Sequence, residues 1–89
     1  MTRTTVSGNH STQSGGGVDN DTGIAEIIDS LIAGNSSTSN GGGLNTFSGT
    51  TGISNSTVSG NTATTNGGGI QNADQSNLTL VNSTITANT

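Results

Sequence analysis

A period of 26 residues runs through this chain and limits what it can fold into. The triplet Gly15-Gly16-Gly17 returns as Gly41-Gly42-Gly43 and as Gly67-Gly68-Gly69. A second word keeps the same beat. Thr4-Thr5-Val6-Ser7-Gly8-Asn9 becomes Ser30-Leu31-Ile32-Ala33-Gly34-Asn35, then Ser56-Thr57-Val58-Ser59-Gly60-Asn61. After one extra residue it becomes Ser83-Thr84-Ile85-Thr86-Ala87-Asn88. The words therefore occupy 4–9, 30–35, 56–61 and 83–88, and the Gly triplets 15–17, 41–43 and 67–69. A fixed repeat of this size marks an architecture in which each unit buries its apolar residues against its neighbours.

The spacing inside each repeat is that of a strand. Apolar residues alternate with polar ones at a period of two, not 3.6. Ser30, Ile32 and Gly34 fall on one face, Leu31 and Ala33 on the other. The same alternation turns Ser56, Val58 and Gly60 inward, and Ser83, Ile85 and Ala87 likewise. A second strand is expected at Gly16–Val18, Gly42–Leu44 and Gly68–Ile70. A third is expected at Ala25–Ile28, Thr51–Ser54 and Leu78–Val81. Three short strands per repeat, without hairpin or helix patterning, predict a coil that returns on itself. Successive coils would stack in parallel at ~4.8 Å. The fold class is all-β: a β-solenoid of about three and a third coils, forming one domain over residues 1–89.

Aligning the repeats gives columns of like side chains. The expected core columns are Val6/Ile32/Val58/Ile85, Val18/Leu44/Ile70 and Ile27/Ile53/Leu80, with Met1 beneath the last. Asn9, Asn35, Asn61 and Asn88 form an Asn ladder, as amides do in stacked cross-β chains. Asn also tolerates the left-handed backbone, so the same residue suits the turn after the strand. The extra residue of the third repeat belongs in an outward loop within Asp74–Asn77.

Composition decides against several functions. Gly, Ser, Thr and Asn make up 57 of the 89 residues and Leu, Ile, Val and Phe only 16. That balance alone suggests disorder, but the apolar residues sit on the repeat and only six residues are charged. Arg3 is the one basic residue besides His10, so no footprint for nucleic acid or anionic lipid exists. No apolar run reaches the ~20 residues of a membrane span, and no signal peptide is recognisable. Without Cys there is no disulfide framework.

The paired words resemble the repeats of chlamydial polymorphic outer-membrane proteins and related bacterial surface proteins. Those repeats read roughly Gly-Gly-Ala-Ile and Phe-x-x-Asn. Here the third Gly stands for Ala, and Val or Ile stands for Phe. The resemblance covers nearly the whole chain and implies a right-handed parallel β-helix at the cell surface or outside the cell.

Candidate chemistry is sparse. The fold hosts sugar-cleaving enzymes, but those need clustered acids, bases and aromatics. This chain has one aromatic, Phe47, and one His, so no enzyme is expected. His10 reads as a solvated loop residue. Asp19-Asn20-Asp21-Thr22-Gly23 has a Ca²⁺-loop look, with Asp19 and Asp21 as ligands. The position for a bidentate Glu is Ser30, so an acidic turn and no metal are expected. The expected partner is the chain itself, stacking head to tail through open coil ends. Eighty-nine residues at 26 per coil would let a second copy enter about a third of a turn on. The expected role is a structural, self-assembling filament. The alternatives are a piece of an adhesin β-helix that binds glycans or surfaces, and an ice-binding protein using the outward Thr5/Ser7, Thr57/Ser59 and Thr84/Thr86 rows.

Overall fold

The computed structural model describes residues 1–89 and contains only strands, corners and turns. The first coil carries β1 (Thr5–Ser7), β2 (His10–Ser11), β3 (Val18–Asp21) and β4 (Ile24–Ile28). The second carries β5 (Leu31–Ala33), β6 (Ser36–Ser37), β7 (Leu44–Phe47) and β8 (Thr50–Ser54). The third carries β9 (Thr57–Ser59), β10 (Thr62–Ala63), β11 (Ile70–Ala73) and β12 (Asn77–Val81). A last partial coil ends with β13 (Thr84–Thr86). Each full coil thus has the three expected strands, plus a two-residue fragment just after the Asn.

Every pairing is parallel and joins equivalent positions of successive coils. The sheet orders are β1-β5-β9-β13, β10-β6-β2, β11-β7-β3 and β12-β8-β4. Val6 lies opposite Ile32, Ile32 opposite Val58, and Val58 opposite Ile85. Val18 lies opposite Leu44, and Leu44 opposite Ile70. Ile27 lies opposite Ile53, and Ile53 opposite Leu80. The parallel bridge between Thr2 and Ile28 carries the last column down to Met1. The chain is therefore a β-solenoid of about three turns.

The second strand starts later than the sequence suggests, at the apolar residue and not at the Gly pair before it. The Gly triplets are the approach to that strand, and close packing explains them. A Cβ on Gly42 would run into the carbonyl oxygens of Thr62 and Gly68. The extra residue of the third coil lies between the Ala73–Phe47 and Asn77–Thr50 pairs. Asp74 and Gln75 both take positive φ there, of 57° and 62°.

Each coil bends at four corners, each marked by a left-handed residue. In the first coil they are Arg3, Gly8, Gly15 and Thr22, and the next coil begins at Asp29. Successive corners are thus five, seven, seven and seven residues apart. The Gly34 and Gly60 corners, expected inward, are exposed, with φ of 66° and 63°. A strand alternation cannot continue through a left-handed residue, so the face resets there. The Asn that follows is therefore the inward residue, and Gly takes the turn that Asn was also expected to supply.

The fully enclosed core is short. Ile27, Ile32, Leu44, Ile53 and Val58 are buried, and Val6, Val18, Ile70 and Leu78 pack partly against them. Two expected core residues are largely exposed: Leu80 at 46% and Ile85 at 40%. Leu80 in β12 and Ile85 in β13 both lie on the uppermost strand of their sheets, where nothing covers their upper side. Met1 is exposed at the opposite end for the same reason.

Candidate functional site

An Asn ladder runs the height of the stack. Asn35 and Asn61 are about 1% and 0% exposed. The backbone N–H and Nδ2 of Asn9 both donate to Asn35 Oδ1 at 3.0 Å. Asn35 repeats this toward Asn61 Oδ1 at 2.9 and 3.0 Å, and Asn61 toward Asn88 Oδ1 at the same distances. Each amide also donates back to the coil before it. Asn35 Nδ2 reaches Val6 O, Asn61 Nδ2 reaches Ile32 O, and Asn88 Nδ2 reaches Val58 O, each at 3.0 Å. A buried amide with all its donors used avoids the cost of unpaired burial, ~1–3 kcal/mol per group.

A hydroxyl ladder runs beside it. Thr4 N–H donates to Ser30 Oγ, Ser30 N–H to Ser56 Oγ, and Ser56 N–H to Ser83 Oγ, at 3.1, 3.0 and 3.3 Å. Each hydroxyl in turn donates to the residue two before it, as Ser30 Oγ does to Ile28 O at 2.8 Å. This local bond is the habitual turn contact of Ser and Thr. Here it frees the hydroxyl lone pairs for the neighbouring coil.

Both ladders stop at the two faces of the stack with opposite needs. At the lower face, Asn9 Oδ1 accepts no bond. At the upper face, the backbone N–H groups of Asn88 and Ser83 have no acceptor.

One buried polar cluster was not legible in the repeat words. Thr46 and Thr51 are both 0% exposed, and their hydroxyls lie 2.8 Å apart. Asn20 Nδ2 donates to Thr51 Oγ1 at 2.9 Å and to Thr50 O at 3.0 Å. Carrying the alternation one step past Leu44 and one step before Ile53 would have placed Thr46 and Thr51 inward. All the groups are bonded within the wall, so the cluster offers nothing to a ligand.

Asp19 and Asp21 lie on strand β3, not in a loop. Both are exposed, and Asn20 between them points into the wall. Asp19 Oδ1 accepts from Asn45 Nδ2 at 2.9 Å. The two acids therefore lie on the exposed side of a strand, and nowhere do three His, Cys, Asp or Glu side chains gather as a metal-binding group. His10 is exposed, with Nδ1 2.8 Å from Ser36 Oγ. Phe47 stands alone on the outer surface, 43% exposed.

The outward hydroxyl row is interrupted. Thr5 lies opposite Leu31 and Ser7 opposite Ala33, before the row resumes at Thr57 and Ser59. A shallow groove of ≈ 120 Å³ crosses the outer face of the β4-β8-β12 sheet above Gly52, between Glu26, Ser54 and Val81. It is a gap left by a missing side chain, since Gly52 stands between Glu26 and Thr79. No helix is long and apolar enough to cross a membrane.

The family model of the Chlamydia polymorphic membrane protein repeat matches residues 55–73. That window runs from the corner at Asn55, through β9, the ladder residue Asn61 and the Gly67–Gly69 triplet, to the end of β11. Both words of the repeat lie inside it. No curated protein and no solved structure matches significantly. With that repeat set in a stack of equivalent coils, the chain is a β-helix repeat protein similar to the Chlamydia polymorphic membrane proteins.

Proposed function

We propose that the chain is a non-enzymatic structural module of a bacterial cell surface, working as a stackable piece of β-helix. The observation that carries this reading is the pair of unfinished ladders. The lower face presents a free Asn9 acceptor, and the upper face presents free Asn88 and Ser83 donors. Leu80 and Ile85 are exposed at the upper face and Met1 at the lower. Unpaired strand edges of this kind are templates for another strand. The material that fits them is another coil with the same words, whether from the same chain or from a second copy. The family resemblance supports the surface setting, and the scattered titratable groups support a structural role over a catalytic one.

End-to-end addition of copies would give a filament. Negative-stain electron microscopy of the purified chain at neutral pH tests this, with and without a Ca²⁺ chelator. Long unbranched fibrils that survive chelation are the expected result. Small monodisperse particles at every concentration would overturn the self-stacking reading, and loss of fibrils on chelation would reinstate a metal at Asp19 and Asp21.

A further inference from the structure

We propose that two copies join by exchanging a strand. The 80–89 segment of one copy takes the place of the 1–10 segment of the next. The proposal rests on the self-stacking reading above and specifies how that stacking occurs.

The corners fix the register. Their five, seven, seven, seven spacing has no rotational symmetry. A second copy turned by a third of a coil superposes none of its corners on those below, so its core columns would land on polar positions. Only the unrotated register keeps Val over Val-type, Asn over Asn and Gly over Gly positions.

In that register the two end segments claim the same place. Leu80 and Met1 share a column, as do Ser83 and Thr4, Ile85 and Val6, and Asn88 and Asn9. Stacking with both segments in place puts residues 1–10 of the upper copy on residues 80–89 of the lower. It then leaves an empty layer between β11 and β12 below and β3 and β4 above. The open gap is about two strand spacings, or ~9.6 Å, and its edges stay unpaired. If the upper copy's residues 1–10 swing out, the gap closes. β11 then pairs with β3 and β12 with β4, while β13 of the lower copy pairs with β5 of the upper.

The exchanged bonds are chemically equivalent. Asn35 Nδ2 gives up Val6 O for Ile85 O, and Asn35 Oδ1 gives up Asn9 for Asn88. Ser30 Oγ gives up the N–H of Thr4 for that of Ser83. The contacts at the new seam are also free of like charge. Asp19 meets Gln71, Asp21 meets Ala73, Glu26 meets Thr79 and Asp29 meets Asn82, because these four acids all lie in the first coil or at its closing corner. The segment that leaves is the edge layer of the stack, bonded to a neighbouring coil on one side only. Residues 1–10 are exposed apart from half-buried Val6, and Met1 is 39% exposed. Edge segments of this kind open at low free-energy cost.

Cross-linking of the full chain through outward side chains separates the outcomes. Thr84 lies two strand steps from Leu31 within one copy, through Thr57. That distance of ~9.6 Å exceeds the ~7 Å limit for a disulfide. In the exchanged assembly, Thr84 of one copy is one strand from Leu31 of the next. The variant Thr84→Cys with Leu31→Cys is therefore expected to form intermolecular disulfides under mild oxidation. Thr84→Cys with Thr5→Cys is expected to form few. The pairs Thr86→Cys/Ala33→Cys and Thr86→Cys/Ser7→Cys repeat the test at an independent position, in case one variant folds poorly. Cross-linking through Thr5 and Ser7, not Leu31 and Ala33, would overturn the exchange and leave stacking intact. No intermolecular cross-link in any folded variant would overturn both.

Discussion

At the scale of single residues, the ladder Asn and the corner residue do different jobs. Asn61 serves three partners at once. Its Oδ1 accepts both donors of Asn35, and its Nδ2 donates to Ile32 O and Asn88 Oδ1. Asn61→Ala strands several buried groups, at ~1–3 kcal/mol each. We expect a fall in unfolding free energy of at least ~2 kcal/mol by chemical denaturation. Asn88→Ala removes only one side of the ladder and should cost visibly less. Equal losses at the two sites would show that the ladder bonds are not what the Asn contributes. The corner before the ladder offers a test of opposite sign. Ala87 sits at φ 54° where the other words have Gly. A left-handed non-Gly residue costs ~1–2 kcal/mol, so Ala87→Gly should raise stability by ~1 kcal/mol. The ladder was readable because Asn recurs on the beat. The corner was not, because alternation assigns faces without seeing the sign of φ, and so it placed Gly34 and Gly60 inward.

At the scale of elements, a strand is stabilised most when it has a neighbour above and below, as β5 to β9 have. Ile32 is buried at 1% between Val6 and Val58, whereas Ile85 has Val58 on one side only. Ile32→Val should cost ~0.5–1.5 kcal/mol and Ile85→Val clearly less, read from shifts in the denaturation midpoint. Ile32→Asp should abolish the β-rich, protease-resistant fold, because an unpaired charge would enter the core. Thr57→Lys, on the outer face of β9, should stay within ~0.5 kcal/mol of the parent. The three strands of each coil and their stacking order were legible because ten aliphatic residues fall on three repeating columns. The Thr46–Thr51 pair follows only from carrying the alternation outward from Leu44 and Ile53. Two buried hydroxyls that satisfy each other leave no hydrophobic trace in the sequence. Exposure of Leu80 and Ile85 was equally hidden, since a column gives the face of a residue but not how many coils cover it.

At the scale of the whole molecule, stability depends on what lies against the two faces. If copies stack, folding is linked to association, and the unfolding temperature must rise with protein concentration. Calorimetry over a hundredfold range of concentration is expected to record that rise, and a constant value would mean the single chain folds independently of its copies. The stack tolerates change very unevenly around its circumference. Three corners keep the same residue count in every complete coil, while the corner at Asp74 and Gln75 has taken in an extra residue with the strands on either side still in register. That corner is a port in the wall: chain added there leaves the pitch untouched and projects sideways. A column of such coils has a height set by the number of repeats and a surface that varies through one line of loops. Length and recognition can therefore diverge independently in proteins built this way.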